Sequence, residues 1–365
     1  MKVNYDAPPP SSASGVADYA AVLLTALRAR GDVGKFSRAN VSLYHLGNNQ
    51  LHRDAYRRAL AQPGVVILHD AVLNHFLLGS LTANQYIDEY VYNYGEWSRP
   101  EAAQLWRERA GSGSDARYFE APMLKRIATT SKAVIVHNPG AAEMVRRHAP
   151  TATIVEIPHF YQDQPAPEVS DVIHYRASLG VQPGSFLFGV FGYIRESKRL
   201  LTILRAFDLL HRTMPGSRLL VAGRIISQDL ERAAHPLLQN SGIIRRPFLS
   251  TGDFRLAAHA VDACVNLRVP AAGETSGIAI RLMGTGRPVI LSEGAEIARF
   301  PAGSCLRIQT GVAERADLFE HMSVVAVVPF MAREIGLRAA SHIRSRHRLE
   351  PIADQYWSAL CACRN

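Results

Sequence analysis

A chain of 365 residues is longer than one hydrophobic core usually organises, so two domains of ordinary size are expected. Hydrophobic residues make up 47% of the chain and charged residues 20%, without low-complexity tracts, which excludes a disordered or fibrous protein. The formal net charge of +9 suits a partner that carries phosphate or an acidic membrane surface. The arginines are scattered along the chain, so we expect no nucleic-acid partner.

The N-terminal region begins with a strand-like stretch, residues 2–6, and three prolines follow it closely. It lacks the apolar run of a signal peptide, and no stretch approaches the roughly 18 to 20 apolar residues of a membrane span. We therefore expect a cytoplasmic protein. The four cysteines show no CxxC pair and no nearby histidine at zinc-finger spacing, so free thiols are expected.

The N-terminal half alternates short β-branched runs with helical patterns, which is typical of a parallel sheet covered by helices. Residues 65–68 and 133–136 have the pattern of buried strands. Polar side chains follow both of them, including His69, Asp70 and Asn138. Because the carboxyl ends of such strands face the ligand crevice, we expect these side chains to lie there.

Two segments in the middle of the chain differ in composition from the alternating strands and helices around them. Residues 81–131 have helical patterning and carry the aromatic residues Tyr86, Tyr90, Tyr92, Tyr94 and Trp97, which predicts a helical insertion with aromatic side chains packed inward. Residues 161–185 are polar and contain three prolines, which suits a connection between domains.

A second series of strands and helices fills the C-terminal half. We predict a helix over residues 197–210 and strands over residues 186–192, 218–223, 262–267 and 288–292. The segment 331–361 is also predicted to be helical, with an apolar stripe that packs back across the first domain.

The turn Gly-Glu-Thr-Ser-Gly at residues 273–277 is the strongest candidate site, because a helical pattern follows it directly. A helix start presents free backbone N–H groups and a positive dipole end, so such a turn can bind a phosphate or a sugar hydroxyl. Glu274 could accept hydrogen bonds from the sugar. The alternative is local: Ser276 caps the helix and Glu274 interacts with its dipole.

A second candidate lies where the first strand of the C-terminal half turns into a helix. Gly192 is followed there by Arg195 and Lys198, and these two cations could neutralise a diphosphate. A lysine near a helix start is otherwise an ordinary solvated side chain.

Three strings together carry a specific resemblance: PPPSSASGVADYAAVLLTAL near the start, FGYIRESKRLLTILRAF, and GETSGIAIRLMGTGRPVILSEGAE. In this order and at these separations, the chain resembles bacterial retaining glycosyltransferases of family 4, the glycosyl transferases group 1, over nearly its whole length. The resemblance implies an α/β protein of GT-B fold, with two Rossmann-like domains whose parallel sheets face each other across a cleft. It places an acceptor-side domain at residues 1–165, a nucleotide-sugar donor domain at 166–345, and a C-terminal helix that crosses back at 346–365.

The resemblance also assigns roles to residues of the donor side. Lys198 and Arg195 would bind the donor diphosphate, with Gly192 beside them. Glu274 would contact the transferred sugar. The backbone of Thr275, Ser276 and Gly277 would meet the phosphate or the sugar.

In the first domain, Gly15 would belong to the donor site and allow its loop to approach the reacting centre, and His69 would stabilise the transition state beside the sugar. Asp70 and His75 are candidates for contacts with the acceptor, or else form a local hydrogen-bonded group. Asn138 is a further candidate on the acceptor side, because it lies at a strand end. The turn after His45 could line the same side, although a turn between a strand and a helix uses similar residues.

One departure from the family pattern concerns the nucleotide ribose. Many members have a second glutamate eight residues after the first, whereas this chain has Arg281 and Leu282 in that region. We interpret Arg281 as a variation within the donor site, which leaves the ribose contact and the base preference open.

The implied reaction transfers a hexose-type sugar from a nucleoside-diphosphate sugar to a hydroxyl of a sugar, a lipid-linked molecule or another acceptor, with retention at the anomeric carbon. No cofactor or metal is expected, and peripheral membrane contact would suit the basic surface. Two alternatives stay open: a nucleotide-sugar epimerase or hydrolase, and a catalytically silent partner that only binds the donor. A nicotinamide-dependent enzyme is disfavoured, because no GxGxxG follows the first strand.

Overall fold

The computed structural model describes residues 1–12 and 14–364. Its first sheet has six parallel strands in the order β2-β1-β3-β4-β5-β6. These strands are β1 (Lys2–Asp6), β2 (Asp32–Gly34), β3 (Val41–Leu46), β4 (Val65–Leu68), β5 (Ala133–Val136) and β6 (Ile154–Glu156). The prediction of parallel strands at β1, β4 and β5 is confirmed.

Eight helices accompany this sheet. They are α1 (Gly15–Arg28), α2 (Arg53–Ala61), α3 (Asn74–Ser80), α4 (Ala83–Tyr94), α5 (Arg99–Glu108), α6 (Arg117–Glu120), α7 (Lys125–Thr130) and α8 (Pro139–His148). Helices α4 to α7 form the predicted insertion. Tyr86 and Tyr90 are buried in it as expected, but Tyr92 is 38% and Trp97 75% exposed, so the packing prediction is wrong for these two. Trp97 lies in the short turn between α4 and α5, outside the helix faces that contact the core.

The second sheet also has six parallel strands, in the order β12-β11-β10-β7-β8-β9. They are β7 (Leu187–Phe191), β8 (Arg218–Ala222), β9 (Ile243–Arg246), β10 (Ala263–Asn266), β11 (Val289–Ser292) and β12 (Leu306–Ile308). Strands β7, β8, β10 and β11 lie within the predicted bounds, each shortened by one or two residues. Because helices cover both faces of each sheet, the inner strands are continuous apolar runs.

The helices of this half are α9 (Val169–Ser178), α10 (Leu200–Thr213), α11 (Gln228–Ala234), α12 (Thr251–Ala260), α13 (Gly277–Gly284), α14 (Glu314–Val327), α15 (Pro329–Arg346) and α16 (Leu349–Ala362). The helix predicted over 197–210 begins only at Leu200, because Arg199 has a φ of 56° and ends a short turn before it. None of the helices among the described residues is long and apolar enough to cross a membrane.

The predicted C-terminal helical segment is two helices, α15 and α16, separated at His347 and Arg348. At this break the chain lies beside the earlier connection between the two sheets. The N–H of Tyr161 donates to the His347 carbonyl at 2.6 Å, and Tyr161 pairs with Arg348 as an isolated parallel bridge. The chain passes between the two halves twice, and the two connecting segments are therefore hydrogen-bonded to each other.

Helix α16 returns to the first sheet, as its apolar stripe predicted. Ile352, Tyr356 and Leu360 are fully buried there. The hydroxyl of Tyr356 is 2.9 Å from that of Tyr19 on α1. The last helix thus completes the core on the α1 face of the first sheet.

Candidate active site

The loops after the carboxyl ends of β4, β5 and β10 meet in one place. The N–H of Ala71 donates to the carbonyl of Ala272 at 2.8 Å. The side-chain amide of Asn138 donates to the Gly273 carbonyl and to the Thr275 hydroxyl, both at 2.9 Å. The carboxyl edges of the two sheets therefore face each other, and the predicted motifs from both halves of the chain lie together.

The turn at residues 273–277 leads directly into α13. Ser276 caps this helix, since its hydroxyl accepts a hydrogen bond from the Ala279 N–H at 3.2 Å. Gly273 has a φ of 71°, and an added Cβ would lie 2.7 Å from the Cβ of Ala71, so only glycine fits here. The local alternative is correct for Ser276, but the carboxylate of Glu274 has other partners.

Those partners are Arg268 and the backbone. Arg268 Nη1 donates to Glu274 Oε1 at 2.5 Å, and the N–H of Ala272 donates to Glu274 Oε2 at 2.7 Å. Arg268 Nη2 also lies 3.3 Å from the hydroxyl of Ser276. The sequence reasoning did not single out Arg268. It lies just after β10, so the rule that selected His69 after β4 would have selected it as well.

Lys198 lies at the predicted position beside the end of β7. Its Nζ donates to the Phe191 carbonyl at 3.0 Å. Burial, followed by the nearby charge of Arg268, lowers the pKa of Lys198 to about 7. Gly192 has a φ of 88°, and an added Cβ would lie 3.4 Å from this ammonium group. A bound anion would restore the charge of Lys198, because an opposite charge favours the protonated form.

Arg195 is exposed at the start of the same turn. Its positive charge is close enough to Asp70 and His75, both on the first half, to oppose the rise in the pKa of Asp70 and to add to the fall in the pKa of His75. Arg195 therefore lies on the side of the second half that faces these two residues.

His69 and Asp70 lie at the opposite wall of the cleft. His69 Nε2 is 3.0 Å from Nδ1 of His45, and burial lowers the pKa of His69 well below its ordinary value, so the ring is neutral. Burial, followed by the charge of Glu274, raises the pKa of Asp70 to about 6. The backbone N–H of Asn48 donates to Asp70 Oδ2 at 2.8 Å. A carboxyl group that can change protonation near neutral pH thus lies close to Glu274.

His75 belongs to a fixed network. Its Nε2 donates to the Ser112 carbonyl at 3.0 Å, which leaves Nδ1 to accept from the side-chain amide of Asn48 at 3.0 Å. Asn138 is fixed too, because its Oδ1 caps α8 through the Ala141 N–H at 2.8 Å. Its amide is used in the bonds to Gly273 and Thr275, so Asn138 joins the two walls of the cleft.

Two predicted donor residues have fewer contacts than the others. Gly15 begins α1, and an added Cβ there would meet no described atom within 4 Å, so the space beside it is open. Arg281 is exposed on α13, with its guanidinium 5.8 Å from the ring centroid of Phe254. Its neighbour Leu282 is fully buried and offers no polar group to a ribose.

Across residues 1–12 and 14–364, no group of three or more histidine, cysteine, aspartate and glutamate side chains could hold a metal ion. The four cysteines are free thiols. Cys264 and Cys305 are buried, whereas Cys361 and Cys363 are partly exposed. The groups at the cleft include two cations near a helix start, a hydrogen-bonded glutamate and a neutral histidine.

Two six-stranded parallel sheets with facing carboxyl edges define the GT-B fold, and comparison with solved structures confirms it. The chain is similar to sucrose-phosphate synthase from Thermosynechococcus elongatus, with a TM-score of 0.71 and 15% identity over 99% of both chains. It is also similar to Anabaena HepE in complex with UDP and glucose, with a TM-score of 0.68 and 13% identity over 99% of this chain and 100% of that one. WaaG, a glycosyltransferase involved in lipopolysaccharide biosynthesis, matches with a TM-score of 0.65 and 12% identity over 99% of both chains. No family model matches the sequence, and a search of curated proteins gives no match.

Proposed function

We propose that this protein is a retaining glycosyltransferase that moves a hexose-type sugar from a nucleoside-diphosphate sugar to an acceptor hydroxyl. The observation that carries the proposal is an arrangement of two walls around one cleft. Lys198, Arg195 and the Glu274 turn lie on one wall, and His69 and Asp70 lie on the other. The similarity to HepE with UDP-glucose and to WaaG, a glycosyltransferase, supports it.

The donor diphosphate would bind between the β7 turn and the start of α13. Lys198 and Arg195 would offset its charge, and the free N–H groups at the start of α13 would donate to its oxygens. Since negative charge grows on the diphosphate as the glycosidic bond breaks, groups fixed here stabilise the transition state more than the substrate. One such fixed donor changes turnover by about 10²- to 10³-fold in comparable oxyanion sites.

The transferred sugar would lie between Glu274 and His69. In the reaction we propose, the leaving diphosphate oxygen takes the proton of the acceptor hydroxyl, which attacks the anomeric carbon on the same face. The cleft then has to orient the acceptor, and Asp70 is positioned for this on the first wall, where the N–H of Asn48 holds it and His75 fixes the Asn48 side chain. The neutral ring of His69 can donate or accept a hydrogen bond beside the sugar without adding charge.

No metal ion enters this proposal, because two side-chain cations and a helix start supply the positive charge that the leaving group needs. The acceptor is proposed as a sugar or a lipid-linked hydroxyl, with the protein in the cytoplasm or at the inner membrane face. The net charge of +9 is the basis for the membrane contact.

The test is release of UDP from UDP-glucose and transfer of the labelled sugar, measured with and without an acceptor panel and with and without a chelator. Acceptor-dependent, chelator-insensitive transfer with the α-configuration kept would support the proposal. UDP release without an acceptor would identify a hydrolase instead. Tight binding of the donor without turnover would identify a silent binding partner.

A further inference from the structure

We propose that Arg268 is a positioning residue that holds the Glu274 carboxylate in the geometry needed to accept two hydroxyl groups of the transferred sugar. This inference rests on the proposed function and assigns a role to a residue outside the sequence motifs.

The hydrogen bonds of Glu274 leave room for a sugar. A carboxylate has about four lone-pair sites, two on each oxygen. Arg268 Nη1 occupies one site on Oε1 and the Ala272 N–H occupies one site on Oε2. One site on each oxygen is therefore free, while the group is held at two points. Two neighbouring hydroxyls of a hexose can bind such a carboxylate without any reorganisation of the side chain.

Arg268 is itself held firmly enough to act in this way. Its N–H donates to the Ser292 hydroxyl at 3.0 Å, and Nη2 reaches the Ser276 hydroxyl that caps α13. The guanidinium thus spans Glu274 and the helix cap, and its side chain is only 23% exposed. A lysine could contact one of these groups but not both, since its ammonium is a point charge and not a planar fork.

The polar groups around Arg268 are not all paired within the protein. In the described part of the chain, Arg268 Nε is buried without a hydrogen-bond partner, and so is Oδ1 of nearby Asn266. Both residues line a cavity whose wall also includes Glu274, Ser276 and Glu296. Arg268 and the carboxylate that it holds therefore line the same cavity, where a bound ligand can contact Glu274.

The charge of Arg268 also reaches the other reactive groups. It contributes to the lower pKa of Lys198 and opposes the rise in the pKa of Asp70. Removal of this charge should therefore raise both pKa values, which gives a readout that a local packing defect would not produce.

The experiment compares UDP and UDP-glucose binding by calorimetry in the wild type, Arg268→Met, Arg268→Lys, Glu274→Gln and the double variant Arg268→Met with Glu274→Gln. The quantity of interest is the ratio of the two affinities, since it isolates the sugar. We expect Arg268→Met and Glu274→Gln each to reduce this ratio by about tenfold or more, as loss of hydrogen bonds to a charged group does. The double variant should lose no more than either single variant, because both changes disable one unit. Arg268→Lys should recover part of the loss.

The matched control is Arg212→Met, which removes an exposed arginine paired with Asp208 at the far end of α10. It should leave the ratio unchanged. If the losses at Arg268 and Glu274 add, or if Arg268→Met weakens UDP and UDP-glucose equally, Arg268 does not position Glu274 and the inference is wrong. That result would leave the proposed glycosyltransferase function intact, because the function is tested by donor binding and sugar transfer in the wild type. A wild-type protein that binds UDP-glucose no more tightly than UDP and transfers no sugar contradicts the proposed function itself.

A pH profile of kcat/KM supplies the second readout. In Arg268→Met the alkaline limb should move to higher pH than in the wild type, because Lys198 keeps its proton longer. An unmoved limb together with a lower rate would indicate only a packing defect and would overturn the role of Arg268 near the reacting groups.

Discussion

Replacement of Lys198 by methionine tests the donor site most directly. Methionine keeps an unbranched side chain of similar length but removes the ammonium group that donates to the Phe191 carbonyl at 3.0 Å. If this cation meets the leaving diphosphate, kcat should fall by about 10²- to 10³-fold, the range for loss of one fixed oxyanion donor. Transfer from UDP-glucose under saturating donor measures this. Lys35→Met, at an exposed lysine beside Asp6, is the matched control and should keep full activity.

The pH dependence of the wild type follows from the same residue. Since the pKa of Lys198 in the free protein is about 7, kcat/KM should decline as the pH rises above 7 and the charge is lost. Bound diphosphate raises this pKa, so the corresponding decline in kcat should occur at higher pH. The Lys198→Met variant should lack both limbs.

Thermal stability distinguishes loss of the Lys198 charge from misfolding of the Lys198→Met variant. The pKa of Lys198 in the folded protein lies below its ordinary value of 10.5, so between pH 7 and 10.5 the unfolded state binds more protons. This group therefore destabilises the fold fully below pH 7, and the effect disappears as the pH rises to 10.5. Lys198→Met should consequently unfold at the same or a higher temperature than the wild type at pH 6. A variant with reduced thermal stability at pH 6, or with unchanged turnover, would refute the reasoning.

Three further predictions concern the cleft and the surface. Asp70→Asn should remove the acidic limb near pH 6 from the kcat/KM profile for the acceptor, because burial and Glu274 raise the pKa of Asp70 to that region; a limb that persists would assign it to another group. Gly273→Ala should raise the KM for the donor and lower the melting temperature, because its Cβ would lie 2.7 Å from that of Ala71 and its φ is 71°. The control is Gly216→Ala, where an added Cβ meets no described atom within 4 Å, and equal effects of the two variants would contradict the argument. Vesicles rich in anionic lipid should retain the protein at low salt and release it at high salt, measured by sedimentation; no retention at low salt would remove the basis for membrane contact.

The sequence was most informative where a strand is buried on both faces. β4 and β5 have the predicted bounds, because four consecutive apolar residues end abruptly in polar ones. Strands β2, β3, β6, β9 and β12 were not predicted; β2, β6 and β12 have three residues each, too few to show a period. Their pairing depends on neighbouring strands that lie far away in sequence.

The same contrast holds for the site. Glu274 and Lys198 belong to recognisable strings, and the structure brings them to one cleft. Arg268 belongs to no string, and its importance depends on a hydrogen bond across a turn that folds back on itself. The hydrogen-bonded alternative for His75 was stated from the sequence, but its partner Ser112, and the partner Thr275 of Asn138, could not be predicted because they come from distant parts of the chain.

The two connecting segments that are bonded at Tyr161 and Arg348 limit how the two halves of the protein can move. Two parts joined by one flexible linker can rotate about any axis, whereas two adjacent chain segments bonded to each other restrict the rotation to an axis near those segments. The bond from the His347 ring to the His159 carbonyl at 2.6 Å strengthens this double connection. Any opening of the cleft should therefore be a rotation about this one axis, and closure would restore the hydrogen bonds of Asn138 to Gly273 and Thr275.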